Sequence, residues 1–471
     1  MFPGSKIYGG LRGAFDYGPL GVQLKKNISD LWWRDFVEQR RDCVGLDSSI
    51  ILHPQVWHTS KHVEEFTDPM TECPSCHSRS RADHLLEKEG GMPPAAVAEL
   101  SMEDMGTELA KRGINCPSCQ TPLPNPRQFN LLFQTSVGPT AEDGRVDNTA
   151  YLRPETAQGA YVNFSQIVSS TRRRIPFGVG QIGKAFRNEI HPGHFLFRTR
   201  EFELLELQYF CHPNETKDAY NYWRLFCKDW LLRHGVRDEN VRIRDYGKGE
   251  VAHYANATAD IEYNFPSLGW SEVWGIADRG NFDLTQHIAG CGGDKKVGQY
   301  TDPSTQERYV PHIIEPALGL NRAMLTFLAD AYDEEEIVGK NGKREQRIVL
   351  RLHEDIAPYK CAVLPLMKKD GLAEMAEDLH ESMLRQNHGA IDFDMTGSIG
   401  KRYRRQDEIG TPLCITVDHQ TLENGSVTVR CRDTLKQTRV DQDDLNAGWV
   451  ALLERVRMAD SEPVWNRRSR L

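Results

Sequence analysis

The chain predicts an α+β protein of two or three domains, with an antiparallel hairpin in the first and a small α/β unit at the end. Three observations carry that expectation. At 471 residues the chain exceeds what one hydrophobic core normally serves. Two strand-like runs within 177–210 flank the turn-rich loop His191-Pro192-Gly193-His194, the pattern of two strands folding back on each other. Beyond residue 347 strand-like and helical segments alternate.

Taken in order, residues 21–42 predict a helix, because Leu24, Ile28, Leu31, Trp32 and Phe36 recur at helical spacing. Residues 46–52 predict a strand stopped by Pro54, which has no N–H for a ladder. Residues 73–119 turn small, polar and acidic, with a helical piece at 94–112. They read as an insertion into a first domain made of 1–72 and 120–335. Apolar texture resumes at 127–135, and 151–210 read as the core that bears the site. A helix is predicted at 214–232, with Tyr222, Leu225, Phe226, Trp230 and Leu231 apolar, then short strands over 241–276. A strand at 309–314 leads to an amphipathic helix, Leu320–Ala331, opened by Gly319. The charged stretch 330–347 carries Gly339 and Gly342 and predicts a linker at 336–346. In the last domain, 347–460, strands are predicted at 348–350, 361–366, 391–396, 413–417 and 426–430, and helices at 371–386 and 449–458. Residues 461–471 predict a loose tail.

Composition excludes several classes. With 39% hydrophobic and 27% charged residues, the chain has the balance of a soluble globular protein. It has no apolar run long enough for a membrane helix and no signal-peptide layout, so a cytoplasmic protein is expected. The net charge of −9 argues weakly against a nucleic-acid partner. Local basic runs, Arg172-Arg173-Arg174 and Lys401-Arg402-Tyr403-Arg404-Arg405, argue the other way, although each reads equally well as a solvated face. Eleven cysteines, an odd number without a spacing framework, predict reduced thiols.

Three constellations carry chemistry. Arg187 and Glu189 are two apart, and Phe202, Leu204 and Glu206 share a side of the returning run. A hairpin face so built offers a guanidinium, carboxylates and an aromatic ring. That set can grip a phosphate, hydrogen-bond an adenine edge and stack on the base. In the second, the strand through Ile313 and Ile314 breaks at Pro316 and turns at Gly319 into a helix whose first turn holds Arg322. A cation beside a helix N-terminus needs a reason, and a triphosphate supplies one. In the third, Cys73-Pro74-Ser75-Cys76 and Cys116-Pro117-Ser118-Cys119 form two CxxC knuckles, the ligand set of a structural Zn²⁺ site, with empty reduced thiols as the bland alternative. The bland alternatives for the other two are a surface ion pair and a surface arginine.

The Arg-x-Glu, loop and returning Phe202 resemble motif 2 of the class II aminoacyl-tRNA synthetases. Glu315 through Arg322 resembles motif 3, and the helix–strand unit ending at Pro54 resembles motif 1, which builds the homodimer interface in that class. Tyr151-Leu152-Arg153-Pro154-Glu155-Thr156-Ala157-Gln158-Gly159, Gly269-Trp270-Ser271-Glu272-Val273-Trp274-Gly275-Ile276-Ala277-Asp278-Arg279 and Ile7-Tyr8-Gly9-Gly10 narrow this to the homodimeric glycyl-tRNA synthetases. Ala357-Pro358-Tyr359-Lys360 and the basic run after Gly400 are similar to the anticodon-binding domain of that family.

The resemblance implies a class II antiparallel sheet flanked by helices, a C-terminal α/β anticodon-binding domain, a homodimer, and a ligase that joins glycine to tRNA(Gly) using ATP and Mg²⁺. It implies ATP contacts from Arg187, Asn188 and Glu189, from Phe197, Arg198, Thr199, Arg200, Glu201 and Phe202, from Glu272 and Val273, and from Gly319, Leu320, Asn321 and Arg322. Arg187 and Arg322 are the catalytic pair, on the α- and γ-phosphates. Glycine contacts are implied for Arg81, Glu155, Phe202, Glu203, Leu204, Leu205, Glu206 and Arg279, and for the turn Glu315, Pro316, Ala317, Leu318 and Gly319. Ala317 stands where relatives often have Ser. Glycine offers no side chain to grip, so acids for its ammonium and a cramped wall are what its site requires. Three acids together raise one another's pKa unless a cation intervenes, which gives Arg279 a second task. A non-catalytic protein on the same fold, such as the accessory subunit of mitochondrial DNA polymerase, loses the ATP-binding arginines. A synthetase for serine, proline or threonine does not share the acid set.

Overall fold

The computed structural model describes residues 1–138, 148–190, 192–247, 255–338, 344–386, 389–447 and 449–458. Helix α1 (Pro19–Trp33) starts on a proline, where the missing N–H costs nothing, and buries Leu24, Ile28, Leu31 and Trp32. It ends earlier than the predicted 21–42, passing into a π-helical turn over Arg34–Glu38. The strand expected at 46–52 lies one step earlier, as β1 (Cys43–Gly45). Beyond it the backbone is captured by side chains: Ser48 N–H donates to Gln181 Oε1 (2.7 Å) and Ser48 O accepts from Arg153 (2.8 Å).

Around the expected 73–119 insertion lie a three-stranded sheet, two of whose strands fall outside those bounds, and a helical cluster. Strand β2 (Thr67–Glu72) lies between β3 (Arg79–Arg81) and β4 (Arg127–Asn130). Helix α2 (Ala82–Lys88), which the pattern did not suggest, packs Leu85 and Leu86 with Met105 and Leu109 of α3 (Met102–Lys111). The helical piece predicted at 94–112 is two helices, Pro94–Ala98 and α3, the second capped by the Ser101 hydroxyl, which accepts from Asp104 N–H.

After α4 (Ala157–Val162), strands β5 (Phe177–Phe186) and β6 (Glu201–Cys211) form the expected hairpin, with Phe202 opposite Ala185 and Glu206 opposite Gln181. His191, in its loop, lies outside the described residues. Helix α5 (Thr216–Arg233) follows and buries Trp223, Cys227, Trp230 and Leu231. Tyr222 and Leu225, expected on its apolar face, are 45% and 64% exposed. Strands β7 (Val241–Asp245), β8 (Ala257–Phe265) and β9 (Gly269–Gly280), helix α6 (Phe282–Gly290), strand β10 (His312–Gly319) and helix α7 (Leu320–Ala331) complete the unit.

The sheet runs β7-β8-β9-β10-β6-β5-β1, antiparallel except for the β1–β5 pair. One face is closed by α1, α5 and α7 over Phe36, Trp32, Trp230 and Trp274. Pro316 does not break β10. The strand runs through it, and pairing with β6 lapses only between Glu206–Ala317 and Tyr209–Ile314, where proline has no N–H to give.

The segment expected as a linker is instead a ribbon of β11 (Tyr332–Val338) and β12 (Arg344–Leu350), with 339–343, including Gly339 and Gly342, outside the described residues. Its charges pair across the strands and beyond, as Glu336 with Arg344 (3.2 Å) and Glu335 with Arg347 and Arg351. The last domain holds β13 (Cys361–Pro365), α8 (Leu372–Arg385), β14 (Ile391–Phe393), α9 (Ile399–Ile409), β15 (Leu413–Val417), β16 (Ser426–Cys431), β17 (Gln437–Asp441) and α10 (Trp449–Met458). Its sheet runs β14-β13-β15-β16-β17, parallel over the first three strands and antiparallel after, as an α/β reading expects. The tail from 461 lies outside the described residues.

Candidate active site

The open face of the seven-stranded sheet carries a cavity of about 450 Å³. Strand alternation populates it: Phe202, Leu204 and Glu206 project together from β6, and Glu315, Ala317 and Gly319 from β10. Glu155, on the turn before α4, joins them. Leu205, Val273, Leu318 and Leu320 are fully or almost fully buried in the core on the other side, and Pro316 is buried within its strand, so these predicted contacts do not line the cavity.

The floor is an acid cluster organised by one arginine. Arg279 is 1% exposed and donates to Glu315 (3.1 Å), to Asp283 (2.8 and 3.0 Å), and lies 3.6 Å from Glu155. Gln208 donates to Glu315 (2.8 Å), and Gln158 to Glu155 (3.0 Å) and Asp283 (2.8 Å). Glu206 is bonded instead by Thr156, whose N–H (2.8 Å) and hydroxyl both donate to it. Burial disfavours all three charges. At Glu155 the nearby Arg279 and His62 outweigh burial and hold the carboxyl well below its usual range. Glu315 stays raised, by burial first, against the pull of Arg279. Glu206 is pushed up to about 8 by burial, with the charges of Glu315 and Glu155 adding. The expectation that Arg279 keeps all three acids ionised therefore holds for Glu155 and fails for Glu206, whose bonding partner is a threonine.

Arginines stand at the rim. Strand β5 stops at Phe186, so Arg187 and Glu189 sit just past it, with Arg187 N–H still donating to Arg200 O (2.9 Å). The Arg187 side chain donates to Pro154 O (3.2 Å) and lies 5.4 Å from the Phe202 ring centre. Arg322, in the first turn of α7, donates to Glu272 (2.7 Å) and covers the Phe197 ring at 4.3 Å. Although burial opposes it, the Arg322 charge lowers the Glu272 pKa, so that carboxylate is ionised. Arg198, Thr199 and Asn321 also line the cavity, Arg198 4.0 Å from Glu189.

Other predicted residues lie apart. Arg200 faces an adjoining cavity of about 680 Å³, with Glu201, Lys184, Arg12 and Lys25, and Glu203 borders both spaces. Asn188 spends its N–H on Leu131 O (2.7 Å) and lines neither cavity. Arg81 is held by Asp68 (2.9 Å) and Asp83 in a recess of about 210 Å³ that reaches Glu189 and Arg198 but not the acid floor. Sequence reasoning missed Thr156, Gln158, Gln208, Asp283 and His62. Four of them carried a signal: Thr156 and Gln158 follow Glu155, Gln208 is two past Glu206 on one strand face, and Asp283 is four past Arg279.

In the insertion the four knuckle sulfurs converge, Cys73 with Cys119 at 3.4 Å, Cys76 with Cys116 at 3.6 Å, and all within 4.8 Å of one another. Tetrahedral zinc thiolates bonded at about 2.3 Å put sulfurs about 3.8 Å apart, so the set fits Zn²⁺. Both knuckles turn the same way, with His77 and Gln120, each just after the second cysteine, at positive φ.

The basic run on α9 is not free. Arg402 is buried and donates to Pro365 O and Gly397 O, Arg404 pairs with Glu345, and Arg405 with Asp394. These charges meet carbonyls and Asp394 within the domain and Glu345 on the ribbon strand β12.

An antiparallel sheet with an arginine past the hairpin strand and another at the start of the following helix defines a class II aminoacyl-tRNA synthetase core. Residues 140–331 match the tRNA synthetase class II core domain (G, H, P, S and T), and 360–449 match the anticodon binding domain. Over 451 residues the chain is 50% identical to the glycine–tRNA ligase of Clostridium perfringens strain 13, covering 95% of this chain and 94% of that one. It is likewise 50% identical to that of Geobacillus kaustophilus (95% of both) and 49% identical over 450 residues to that of Caldanaerobacter subterraneus (95% and 94%). The chain belongs to the glycine–tRNA ligase family.

Proposed function

We propose that the chain activates glycine with ATP to glycyl-adenylate and pyrophosphate, then transfers the glycyl group to a ribose hydroxyl of the 3′-terminal adenosine of tRNA(Gly), releasing AMP. The observation that carries this is one cavity with Arg187 and Arg322 at its rim and Glu155, Glu206 and Glu315 on its floor. The floor takes the ammonium of glycine, and Ala317 and Gly319 line the same cavity. A carboxylate oxygen of glycine attacks the α-phosphorus, the bond to the β-phosphate oxygen breaks, and pyrophosphate leaves. The chain's part is positioning and charge neutralisation: Arg187 holds the α-phosphate, Phe202 stacks on adenine, Glu189 accepts from its amino group, and Arg322 holds the γ-phosphate. Mg²⁺ would neutralise the outer phosphates, and the ionised Glu272 fits the hard, oxygen-liganded site this ion requires.

Further parts of the reading are a structural Zn²⁺ on Cys73, Cys76, Cys116 and Cys119, a homodimer built on the α1 to Pro54 unit, and anticodon recognition by the C-terminal domain. The adjoining cavity, with Arg200 at its wall, is the approach for the acceptor end. Among the described residues no helix is long and apolar enough to cross a membrane, and we assign the protein to the cytoplasm. ATP–pyrophosphate exchange over a panel of amino acids tests the reading: exchange with glycine alone is expected. Arg187→Ala should reduce that exchange by at least about 10²–10³-fold while leaving the fold intact. Wild-type exchange by the variant, or equal exchange with alanine or serine, overturns the assignment.

A further inference from the structure

A second cluster of metal-ligating side chains lies far from the cysteine knuckles, where the synthetase core meets the segment entering the last domain. His234 is the residue that closes α5, and His353 and Asp355 lie just past β12. One ring nitrogen of His234, one of His353 and one carboxylate oxygen of Asp355 lie within 4.8 Å of one another. His234 is 6% exposed. Its Nε2 is 3.1 Å from Asp35 Oδ2, so Nε2 carries the proton and donates it there. Asp35 is itself fixed by Trp230 Nε1 (2.9 Å) and Arg34 Nε (2.9 Å). The other ring nitrogen, Nδ1, is buried with no hydrogen-bond partner.

That arrangement is how proteins prepare a histidine to ligate a metal: a carboxylate holds one ring N–H, which sets the tautomer and turns the other nitrogen's lone pair toward the ion. A buried ring nitrogen without a partner otherwise costs free energy. The His353 Nδ1 accepts only a long bond from Asp355 N–H (3.3 Å). A helix C-terminus, where His234 sits, favours a cation. The charged neighbours are Arg34, 3.6 Å from Asp355, Arg233, and Lys360, whose ammonium donates to Asp355 O (2.8 Å), which oppose a cation, and Asp35 and Glu354, which favour it.

We propose that His234, His353 and Asp355 bind a divalent transition metal, Zn²⁺ by ligand type, that ties the end of α5 to the entrance of the C-terminal domain. Two imidazoles and a carboxylate leave a fourth position for water. The site requires neither the cysteine cluster nor the adenylation pocket.

The test uses the full-length chain, freed of metal by chelation and dialysed against Zn²⁺. The half-buried ligands are varied, because changes at His234 endanger the core. The wild type is expected to retain one more zinc per chain than His353→Ala or Asp355→Asn, and zinc is expected to raise its thermal midpoint by a few degrees more. In Cys76→Ser, which disables the knuckle site, that difference must persist, and bound Co²⁺ should show nitrogen and oxygen ligation without thiolate bands. Equal zinc content and equal thermal shifts in wild type and both variants would overturn the proposal. So would zinc binding here by Arg34→Ala but not by the wild type, since the guanidinium would then be the resident cation.

Discussion

The proton on Glu206 gives the acid floor a measurable signature. With its pKa pushed up to about 8, this carboxyl is roughly 90% protonated at pH 7 in the empty enzyme. The ammonium of glycine, arriving within hydrogen-bond reach, lowers a carboxyl pKa by about 1–3. A drop of about two leaves roughly a tenth of Glu206 protonated at pH 7, so binding releases about 0.8 of a proton. By pH 8.5 the acid is already mostly ionised and release falls to about 0.2. Glycine binding therefore tightens as pH rises through 7, by about 0.8 in log K per pH unit, and levels off above 8. Calorimetric titration of glycine in buffers of different ionisation enthalpy reads the released proton from the slope of apparent enthalpy. Glu206→Gln should abolish the slope and, with one charged hydrogen bond lost, worth ~1.5–3 kcal/mol, weaken binding by about 10- to 150-fold. An enthalpy independent of buffer at pH 7 in the wild type refutes the assignment of the proton. The same shift has a stability consequence. A carboxyl raised from 4.5 to about 8 on folding is stabilising below about pH 4.5, and that contribution is lost as pH rises toward 8.

Two further outcomes probe the scaffold. A Cβ on Gly183 would lie 2.1 Å from a guanidinium nitrogen of Arg153, which is pinned by Lys184 O (2.7 Å) and Ser48 O (2.8 Å), so Gly183→Ala should cost about 1–3 kcal/mol by denaturant titration; an unchanged midpoint would show that Arg153 can withdraw. Asp407 is wholly buried and accepts from Arg347 (2.8 Å) and Arg430 (2.8 and 2.9 Å), so Asp407→Asn leaves buried Arg430 without its carboxylate and Arg347 with the Glu335 carboxylate alone, and should lower stability by about 3–5 kcal/mol. Despite burial, these arginines hold Asp407 below the usual carboxylate range. Its contribution is thus present above about pH 4 and lost as pH falls through the depressed value, and the variant's acid unfolding should be correspondingly less steep.

Much of the site was legible because its grammar is local. Period-two alternation put Phe202, Leu204 and Glu206 on one side of a strand, and the structure keeps them there. A glycine before an amphipathic run marked the helix that carries Arg322, and paired CxxC motifs marked the sulfur cluster. Local reading misled where a neighbour distant in sequence took over a group. The 401–405 run looked like a face for phosphate, yet its arginines answer carbonyls and Asp394 of their own domain and Glu345 of the ribbon. The charged stretch with two glycines looked like a tether, yet its ends zip into a ribbon through cross-strand ion pairs.

Residue order alone thus settled which side chains of one strand share a face, since spacing along a strand dictates facing. Long-range packing settled their charge states. Glu155, Glu206 and Glu315 are the same residue type, and nothing in their spacing tells them apart. Arg279, pinned by Asp283, reaches two of them, while Thr156 reaches the third. Protonation depends on desolvation and on the nearest opposite charge, and both exist only after segments 36 to 160 residues apart have closed on one another.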